Sequence, residues 1–571
     1  MKKFNPNNIK IVIVVFLLFG VYFTSFLVNI EAKDVYDNSS NIFMFDTLNL
    51  LNLKDSNNIK IIDVRGGLGL KIKIKNDGEN DIDNIKIVTE IAGGILLFPK
   101  NKNFNIPLLK AGETKTLRLT LFGMGFGKII NYPTIKIFQI ESNNKILYGR
   151  IFANVFGFLV RIKEKILNDQ NSYQGYTLFG PEYLQTVYLI KNNGEIVKQW
   201  QSSSIQGLAT YLLENGDLFR VCLPATPNTF FLSGGFAGRI ERLNWDGELI
   251  WEFEYSNNEH CSHHDIEILP NGNVLLIAWE YKTSEEAVEA GRDPKLIPIR
   301  KGFWPDHIIE VEPTGSSGGN IVWEWHVWDH IVQDFDPTKQ NYGNVAEHPE
   351  LIDINYGYTR NDFNHINSID YNEKLDQILI SSNEFCEIWI IDHSTTTEEA
   401  ADHTGGLYGK GGDLLYRWGN PAAYKTGTKD DKYFYEQHDA QWIDPGNPGQ
   451  GNILVFNNGN DRPEGKYSSI EEFIPPIDEN GYYILNPGSA YGPEETIWSY
   501  TAEKPLDFYS KRLSSVQRLP NGNTLICEGN DGYFFEVTPN KEIVWQYEQK
   551  YSHALYDDVF MVRRYPLNYL P

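Results

Sequence analysis

The chain has 571 residues, a net charge of −24, 13% aromatic side chains and 48 glycines. This length exceeds one ordinary hydrophobic core and indicates several units or one large repeat architecture. The excess of acidic over basic residues excludes a nucleic-acid-binding role, and the aromatic and glycine content favours short strands joined by tight turns. We therefore expect an all-β protein.

Residues 1–33 are predicted to be a signal peptide or a signal anchor. Lysines precede an apolar stretch over residues 11–30, and about 20 apolar residues can span a bilayer. No small-x-small cleavage motif follows it, which favours an uncleaved anchor with its positive flank inside and leaves a cleaved signal open. We expect an extracytoplasmic protein, secreted or held on the outer face of the membrane through this helix alone.

Residues 40–165 are predicted to form a small β-sandwich. Apolar and basic residues alternate over residues 70–75, an Asn-Asp-Gly turn follows at 76–78, and an apolar strand resumes at 85–88. Alternation with a period of two indicates strands with one buried face. No catalytic motif occurs in this module, so we expect an accessory role in packing or in homodimer formation.

Residues 170–571 contain six repeats in which a turn leads into a strand that carries a tryptophan. A second repeated element is a strand ending in Leu-Pro-Asn-Gly-Asn, at 264–273 and again at 514–523. Repeats of this kind are typical of a β-propeller, here with six blades. The segment between Trp323 and His365 is unusually long and is predicted to cover one mouth of the central funnel. The tryptophans of the six repeats are Trp200, Trp251, Trp323, Trp418, Trp498 and Trp545.

Several of the 12 histidines occupy one repeat position, where the innermost strand of each blade begins. Equivalent positions on inner strands converge on the axis of a propeller, so these side chains are predicted to meet in one cavity. Imidazoles titrate near neutral pH, and several of them in one cavity suit nucleophilic or acid–base chemistry. The register favours His264 over His263, which is expected to point the other way along its strand. The equivalent positions are Leu208, His264, His365, His438, Ser514 and His553.

From about Gly175 to the C-terminus the sequence resembles the bacterial and archaeal aryl-sulfate sulfotransferases that work without the nucleotide sulfate donor. The motifs that carry the resemblance are Gly-Tyr-Thr-Leu-Phe at 175–179, His-His-Asp-Ile at 263–266, Asn-His-Ile-Asn-Ser at 364–368, Gln-His-Asp at 437–439, Phe-Asn-Asn-Gly at 456–459 and Leu-Pro-Asn-Gly-Asn-Thr-Leu at 519–525.

The resemblance implies a ping-pong reaction between a phenolic sulfate donor and a phenolic acceptor, with no cofactor and no metal. By motif, His438 matches the nucleophile that carries the sulfuryl group as a sulfohistidine. His365 and Asn367 match groups that bind the sulfuryl oxygens, and His264 matches the remaining histidine of the ring. Further candidates for substrate binding are Asn383, Asn458, Arg462 and His553.

One residue departs from the family pattern. Asn383 stands where the family has the arginine of a Ser-Ser-Arg step, so a fixed positive charge is missing there. Arg462, Arg417 and Arg518 are candidate substitutes, although surface or packing roles also fit each of them.

Two other functions stay open at this stage. Asp265, Glu267 and Asp439 could instead surround a calcium ion at the propeller axis, as in calcium-dependent propeller hydrolases and lyases. The chain could also be a catalytically silent propeller that binds ligands at the cell surface. The four cysteines form no Cys-x-x-Cys pair, so we expect buried free thiols and leave one disulfide open.

Overall fold

The computed structural model describes residues 59–570, apart from residues 93–94, 99–100, 126–133, 142–143, 227, 300–301, 550 and 552–557. Strands dominate these residues, which confirms the all-β prediction. The predicted signal or anchor, 1–33, lies outside them, and no helix within them is long and apolar enough to cross a membrane. All the described residues belong to one compact unit.

The region before residue 170 consists of two antiparallel sheets. Strands β1, β3 and β7 form one sheet, and the order β6-β4-β9-β10-β11 forms the main part of the other. The strands are β1 (Ile59–Arg65), β2 (Gly67–Leu68), β3 (Leu70–Asn76), β4 (Ile82–Ala92), β5 (Ile95–Phe98), β6 (Asn101–Leu109), β7 (Thr114–Leu119), β8 (Phe122–Gly125), β9 (Thr134–Glu141), β10 (Asn144–Gly157) and β11 (Leu159–Asn168).

Alternation along these strands produces a buried face. On β3, Ile72 and Ile74 are fully buried whereas Lys71 and Lys73 face solvent. Isoleucines of the second sheet, such as Ile135, join them in one apolar cluster. The two sheets therefore share a core. That this region is a separate β-sandwich domain over residues 40–165, followed by a propeller domain over residues 170–571, stays a prediction.

The rest of the described chain forms five four-stranded antiparallel sheets and a sixth set of four antiparallel strands, which continues the larger sheet of the preceding region; each set is numbered here as a sheet. Sheet 1 contains β12 (Gly175–Pro181), β13 (Thr186–Lys191), β14 (Ile196–Gln201) and the last strand, β37 (Val559–Pro566); sheet 2 contains β15 (Gln206–Leu212), β16 (Leu218–Cys222), β17 (Arg239–Leu243) and β18 (Leu249–Glu254); sheet 3 contains β19 (His260–Ile268), β20 (Val274–Glu280), β21 (Asp306–Pro313) and β22 (Gly319–His326).

The remaining three sheets repeat this pattern. Sheet 4 contains β25 (Ile366–Asn372), β26 (Gln377–Ser382), β27 (Glu387–Asp392) and β28 (Tyr416–Trp418); sheet 5 contains β29 (His438–Trp442), β30 (Ile453–Asn457), β31 (Ser469–Phe473) and β32 (Trp498–Tyr500); sheet 6 contains β33 (Ser515–Arg518), β34 (Thr524–Glu528), β35 (Tyr533–Val537) and β36 (Ile543–Glu548).

Helices are few and short. The α-helices are α1 (Ser284–Glu289) and α2 (Thr397–Ala400), and each begins with a capping box, from Thr283 and Thr396. The long segment after sheet 3 contains a parallel pair, β23 (Ile331–Val332) and β24 (Ile352–Asp353). Single 3₁₀ turns occupy Pro294–Leu296, Val327–His330, Val345–Glu347, Pro421–Tyr424, Lys429–Asp431, Pro505–Asp507 and Gly529–Asp531.

The six repeated tryptophans tie each sheet to the next. They lie on β14, β18, β22, β28, β32 and β36, and each indole Nε1 donates a hydrogen bond to the turn region before the tryptophan-bearing strand of the following sheet. The last tryptophan returns to sheet 1, because Trp545 donates to the Asn192 carbonyl at 2.9 Å. The other five donate to Asn244, Gly318, the Thr395 hydroxyl, Pro493 and Pro539, in chain order.

Two pairings join distant parts of the chain. The C-terminal strand β37 pairs with β12, so the end of the chain completes sheet 1. Strand β36 pairs with β11, through Leu167 and Gln546 among others, so the region before residue 170 extends sheet 6. The four cysteines, Cys222, Cys261, Cys386 and Cys527, are all buried and free, and no disulfide forms.

Candidate active site

Three predicted histidines, His264, His365 and His438, line one cavity of about 310 Å³. They come from sheets 3, 4 and 5: His264 lies in the middle of β19, His365 immediately precedes β25, and His438 begins β29. The other lining residues are Glu182, Tyr183, Gly207, Leu208, Leu223, Ser233, Gly234, Gly235, Phe236, Asn383, Glu436, Lys511, Arg512 and Leu513.

A β-bulge recurs where the innermost strands approach this cavity. Pairing of β19 with β20 shifts between Ser262 and Ile266, and pairing of β29 with β30 shifts between His438 and Gln441. Strands β15 and β25 carry the same irregularity. His264 and His365 also have positive φ angles, +55° and +49°, which histidine seldom adopts. Bulges redirect side chains, and such strained backbone concentrates at functional sites.

His438 is held as one tautomer by Asn458. The Asn458 amide nitrogen donates to the Ser510 and Leu513 carbonyls, so its oxygen faces His438 Nδ1 at 2.8 Å and accepts the Nδ1 proton. Burial lowers the pKa of His438 to about 4. The imidazole is therefore neutral at physiological pH, and its Nε2 carries a lone pair.

His365 is held in the opposite protonation state. Its Nδ1 lies 2.5 Å from an Asp362 carboxylate oxygen, and Asp362 also accepts hydrogen bonds from Ser233 and Trp279. Burial alone would lower the pKa of His365, but the Asp362 carboxylate outweighs it and raises that pKa above its ordinary value. The two imidazoles that line the cavity therefore have pKa values shifted in opposite directions.

His264 is connected to a second histidine behind it. Its Nδ1 lies 2.8 Å from His263 Nδ1, and its ring packs edge to face against His365 at 4.7 Å. The bulge and the positive φ of His264 bring the two neighbouring rings into contact, although the register predicts that they point in different directions from the strand. His263 is fully buried against Trp279 and does not line the cavity.

Asn367 and Asn383 both contact the backbone immediately before His438. Their amide nitrogens donate to the Gln437 carbonyl at 2.8 Å and 3.2 Å. Asn383 lines the cavity, whereas Asn367 is fully buried beside it and is not among the lining residues. Asn367 is therefore placed to fix the strand that carries His438.

A glycine loop over 233–235 lies directly against the histidines. A Cβ at Gly235 would sit 1.8 Å from the Cε1 atom of His264, and one at Gly234 would sit 3.9 Å from the same atom of His365. Gly235 also has a φ of +78°. Both the space and the backbone conformation require glycine at 235.

This constellation agrees with the match of residues 179–558 to the model of the arylsulfotransferase (ASST) family. The chain belongs to this family. Arylsulfate sulfotransferase AssT of Escherichia coli O6:H1 is 26% identical over 319 residues, which cover 48% of this chain and 46% of that protein. The chain thus matches about half the length of this curated relative.

Solved structures show weaker likeness. A Bacteroides caccae protein of unknown function aligns with a TM-score of 0.37 and 12% identity, covering 69% of this chain and 99% of that one. Virginiamycin B lyase from Staphylococcus aureus aligns with a TM-score of 0.31 and 10% identity, covering 69% and 90% of the two chains.

The family arginine missing at Asn383 is not replaced by the candidates chosen from sequence. Arg417 and Arg518 lie in the sheets and are paired with Glu387 at 2.5 Å and Glu472 at 2.6 Å respectively. Arg462 donates to a serine hydroxyl and stacks on two tyrosines, outside the cavity lining.

The cations that do line the cavity are Lys511 and Arg512, on the loop before β33. Arg512 is about half exposed and pairs with Asp558 at 2.7 Å. Sequence reasoning missed both residues, because they lie in a connection that has no counterpart in the repeat. His553 falls outside the described residues, so its predicted role stays a prediction.

The carboxylates considered for calcium connect sheets to one another. Asp439 pairs with Arg563 at 2.7 Å, and Asp265 accepts a hydrogen bond from the Tyr211 hydroxyl at 2.7 Å. Asp439 and Glu267 line a second cavity, of about 320 Å³, which contains none of the three histidines.

Among the described residues, the group whose ligand atoms approach closely enough for a metal ion lies elsewhere. It consists of His330, His403 and Asp413, and none of the three lines either cavity. Both imidazoles contact the same Asp413 oxygen, at 2.9 Å and 2.8 Å.

Proposed function

We propose that this chain transfers a sulfuryl group from a phenolic sulfate ester to a phenolic acceptor through a sulfohistidine at His438. The observation that carries the proposal is the pairing, in one cavity, of a neutral His438 with its Nε2 lone pair and a cationic His365. Membership of the arylsulfotransferase family supports the reaction class.

In the first half-reaction His438 Nε2 attacks sulfur, the sulfur–aryl oxygen bond breaks, and the phenol leaves. In the second, the oxygen of another phenol attacks the same sulfur and the nitrogen–sulfur bond breaks. The Asn458 oxygen stabilises the positive charge that develops on the His438 ring, since it accepts the Nδ1 proton. Neutral imidazole is a good nucleophile, so one site serves both steps.

Charge on the transferring sulfuryl oxygens needs positive partners, because the chain as a whole is strongly acidic. His365 supplies a fixed cation beside the cavity, and the Asn383 side chain lines the wall next to His438. Lys511 and Arg512 take the place of the family arginine as cations at the cavity. Each well-placed donor is worth on the order of 3 kcal/mol by analogy with oxyanion holes.

The test is mass spectrometry after incubation with an aryl sulfate donor alone. We expect a sulfuryl addition on the peptide that contains His438, and loss of both this adduct and transfer to phenol in His438→Ala. His403→Ala serves as the matched control, because His403 is exposed and does not line the cavity. Transfer without an adduct would exclude the covalent mechanism.

The same assay separates the other two functions. Transfer in the presence of a chelator supports the sulfotransferase, whereas strict calcium dependence would favour a hydrolase or lyase. Binding of phenols with no turnover of any aryl ester would indicate a silent binding protein.

We infer further that the six sheets are the blades of a six-bladed propeller and that the region before residue 170 is an accessory sandwich. The circle of tryptophan hydrogen bonds and the pairing of β37 with β12 support this arrangement. We also propose an extracytoplasmic location, on the basis of the apolar segment 11–30 behind its lysines, and a homodimer formed through the accessory region.

A further inference from the structure

A buried chain of three titratable side chains leads away from the cavity behind His264. The Asp306 Oδ1 atom lies 3.1 Å from His263 Nε2, and His263 Nδ1 lies 2.8 Å from His264 Nδ1. The side chains of Asp306 and His263 have no exposed surface. The chain therefore connects to substrate only through His264.

The hydrogen bonds around Asp306 fix which of its atoms belongs to this chain. Its Oδ2 atom accepts from the Asn364 amide at 2.9 Å and from the Ile366 backbone at 2.5 Å. Oδ1 is thus the oxygen that faces His263. Since His264 uses Nδ1 for His263, its Nε2 is the nitrogen left for the cavity.

The surroundings favour a chain without net charge. Burial, with Asp362 and Glu280 nearby, raises the pKa of Asp306 well above its ordinary value, although the Ile366 N–H and the charge of His365 oppose this shift. Burial lowers the pKa values of His263 and His264, and the charge of His365 lowers them further, while Asp362 partly opposes the shift at His263. A protonated carboxyl and two neutral imidazoles result.

We propose that Asp306 and His263 are positioning residues that pass a proton to and from substrate through His264, an inference that rests on the proposed sulfuryl transfer. When the donor's sulfur–oxygen bond breaks, the proton on His264 Nε2 moves to the departing aryl oxygen. The His263 Nδ1 proton moves to His264 Nδ1, and the Asp306 Oδ1 proton moves to His263 Nε2.

After these transfers the protons of the relay, formed by Asp306, His263 and His264, lie on the opposite atom of each hydrogen bond. Asp306 is ionised, stabilised by the Asn364 amide, the Ile366 N–H and the nearby His365 cation, and His264 Nε2 is a bare lone pair. In the second half-reaction this lone pair accepts the proton of the incoming phenol, and the three protons move back. No proton has to enter or leave the cavity between the two steps.

The test compares two donors in Asp306→Asn, which keeps the shape of the side chain but cannot carry the proton. Phenyl sulfate, a poor leaving group, needs the proton, whereas 4-nitrophenyl sulfate does not. We expect kcat/KM to fall by about 100-fold or more for phenyl sulfate but by less than about tenfold for 4-nitrophenyl sulfate. His263→Gln should show the same selective loss.

Asp413→Asn is the matched control, because Asp413 is also a buried carboxyl that contacts a fully buried imidazole, that of His330. It should change kcat/KM for the two donors equally or not at all. An equal loss for both donors in Asp306→Asn and His263→Gln would show a merely structural role and overturn the relay. A wild-type chain that transfers from neither donor would instead refute the proposed function, and the relay with it.

Discussion

At the scale of single residues, the candidate site depends on opposite protonation of two similar rings. Asn458 can only accept from His438, whereas Asp362 attracts a proton to His365. His438 is buried and the His365 side chain is only 15% exposed, so the difference comes mainly from the hydrogen-bond partner of each imidazole. Sequence alone indicates the histidines but does not show that Asn458 and Asp362 are their hydrogen-bond partners.

Asn458→Ala tests the tautomer of His438. Without the amide oxygen the ring can rotate or bind its proton on Nε2, so we expect kcat to fall by about 10- to 100-fold, as for other supporting hydrogen bonds. KM for the donor should change little, because Asn458 does not line the cavity. Steady-state kinetics with 4-nitrophenyl sulfate measures both values. Asn452→Ala, which removes a partly buried hydrogen bond to Glu472 outside the cavity lining, is the control; equal losses in the two variants would contradict the role of Asn458.

The pH profile of kcat/KM for the donor follows from the two histidines. Activity should fall in acid near the pKa of His438, which burial lowers to about 4, because protonation removes the nucleophile. It should fall in alkali as His365 loses its proton, above the ordinary histidine pKa, since Asp362 raises the pKa of His365.

Asp362→Asn should shift the alkaline limb to lower pH, because the carboxylate that holds the His365 proton is gone. Asp376→Asn is the control: Asp376 contacts His393, which lies outside the cavity. An alkaline limb that stays in place in Asp362→Asn would show that His365 is not the group that titrates there.

At the scale of loops and strands, Gly235→Ala tests how the 233–235 loop shapes the cavity. The added methyl group would overlap the His264 ring, so we expect activity to fall by more than tenfold through displacement of a catalytic ring, a large effect for one misplaced group. Gly272→Ala is the control: its φ of +89° imposes a similar backbone strain on alanine, but the new Cβ would lie in open space. Aryl-sulfate kinetics and thermal melting of both variants distinguish backbone strain from displacement of the His264 ring. Equal activity in the two variants would show that the new methyl group does not displace His264.

Trp251→Phe tests the connection between neighbouring sheets. The substitution keeps an aromatic ring but removes the hydrogen bond to the Gly318 carbonyl, so we expect a loss of about 1–2 kcal/mol in the free energy of unfolding. Urea denaturation measures it. Trp245→Phe is the control, because Trp245 contacts Trp200 edge to face and takes no part in the circle of hydrogen bonds described above. Equal stability of both variants would show that packing alone joins the sheets.

The strands and hairpins were predictable from sequence wherever a short motif of the repeat marks them. Each tryptophan strand and each Asn-Gly hairpin shows its own signal within about ten residues, and the register leads to the three histidines that line the cavity. Asp362 could have been found from its Asp-x-x-His spacing to His365. Asp306, Lys511 and Arg512 could not, because they reach the site from another strand or from a connection with no repeat register.

At the scale of the whole molecule, the two ends of the described chain pair with different sheets. The region before residue 170 adds strands to the outer edge of sheet 6, while β37 enters sheet 1 next to β12. Arg564 on β37 is fully buried and pairs with Glu536 of sheet 6, so the last strand also binds the neighbouring sheet.

Removal of β37 should therefore abolish activity even though none of its residues lines the cavity. A chain that ends at residue 558 leaves β12 without its partner strand. We expect this chain to unfold without cooperativity and to be cleaved rapidly by proteases. Circular dichroism melting and limited proteolysis measure this. A chain that ends at residue 566, at the end of the strand, is the control; a stable, active chain without β37 would contradict the role of the strand in completing sheet 1.

Because sheet 1 is finished only by the last strand, a ribosome must release nearly the whole polypeptide before the first sheet can reach its final form. Until then the edge of β12 is an open pairing surface.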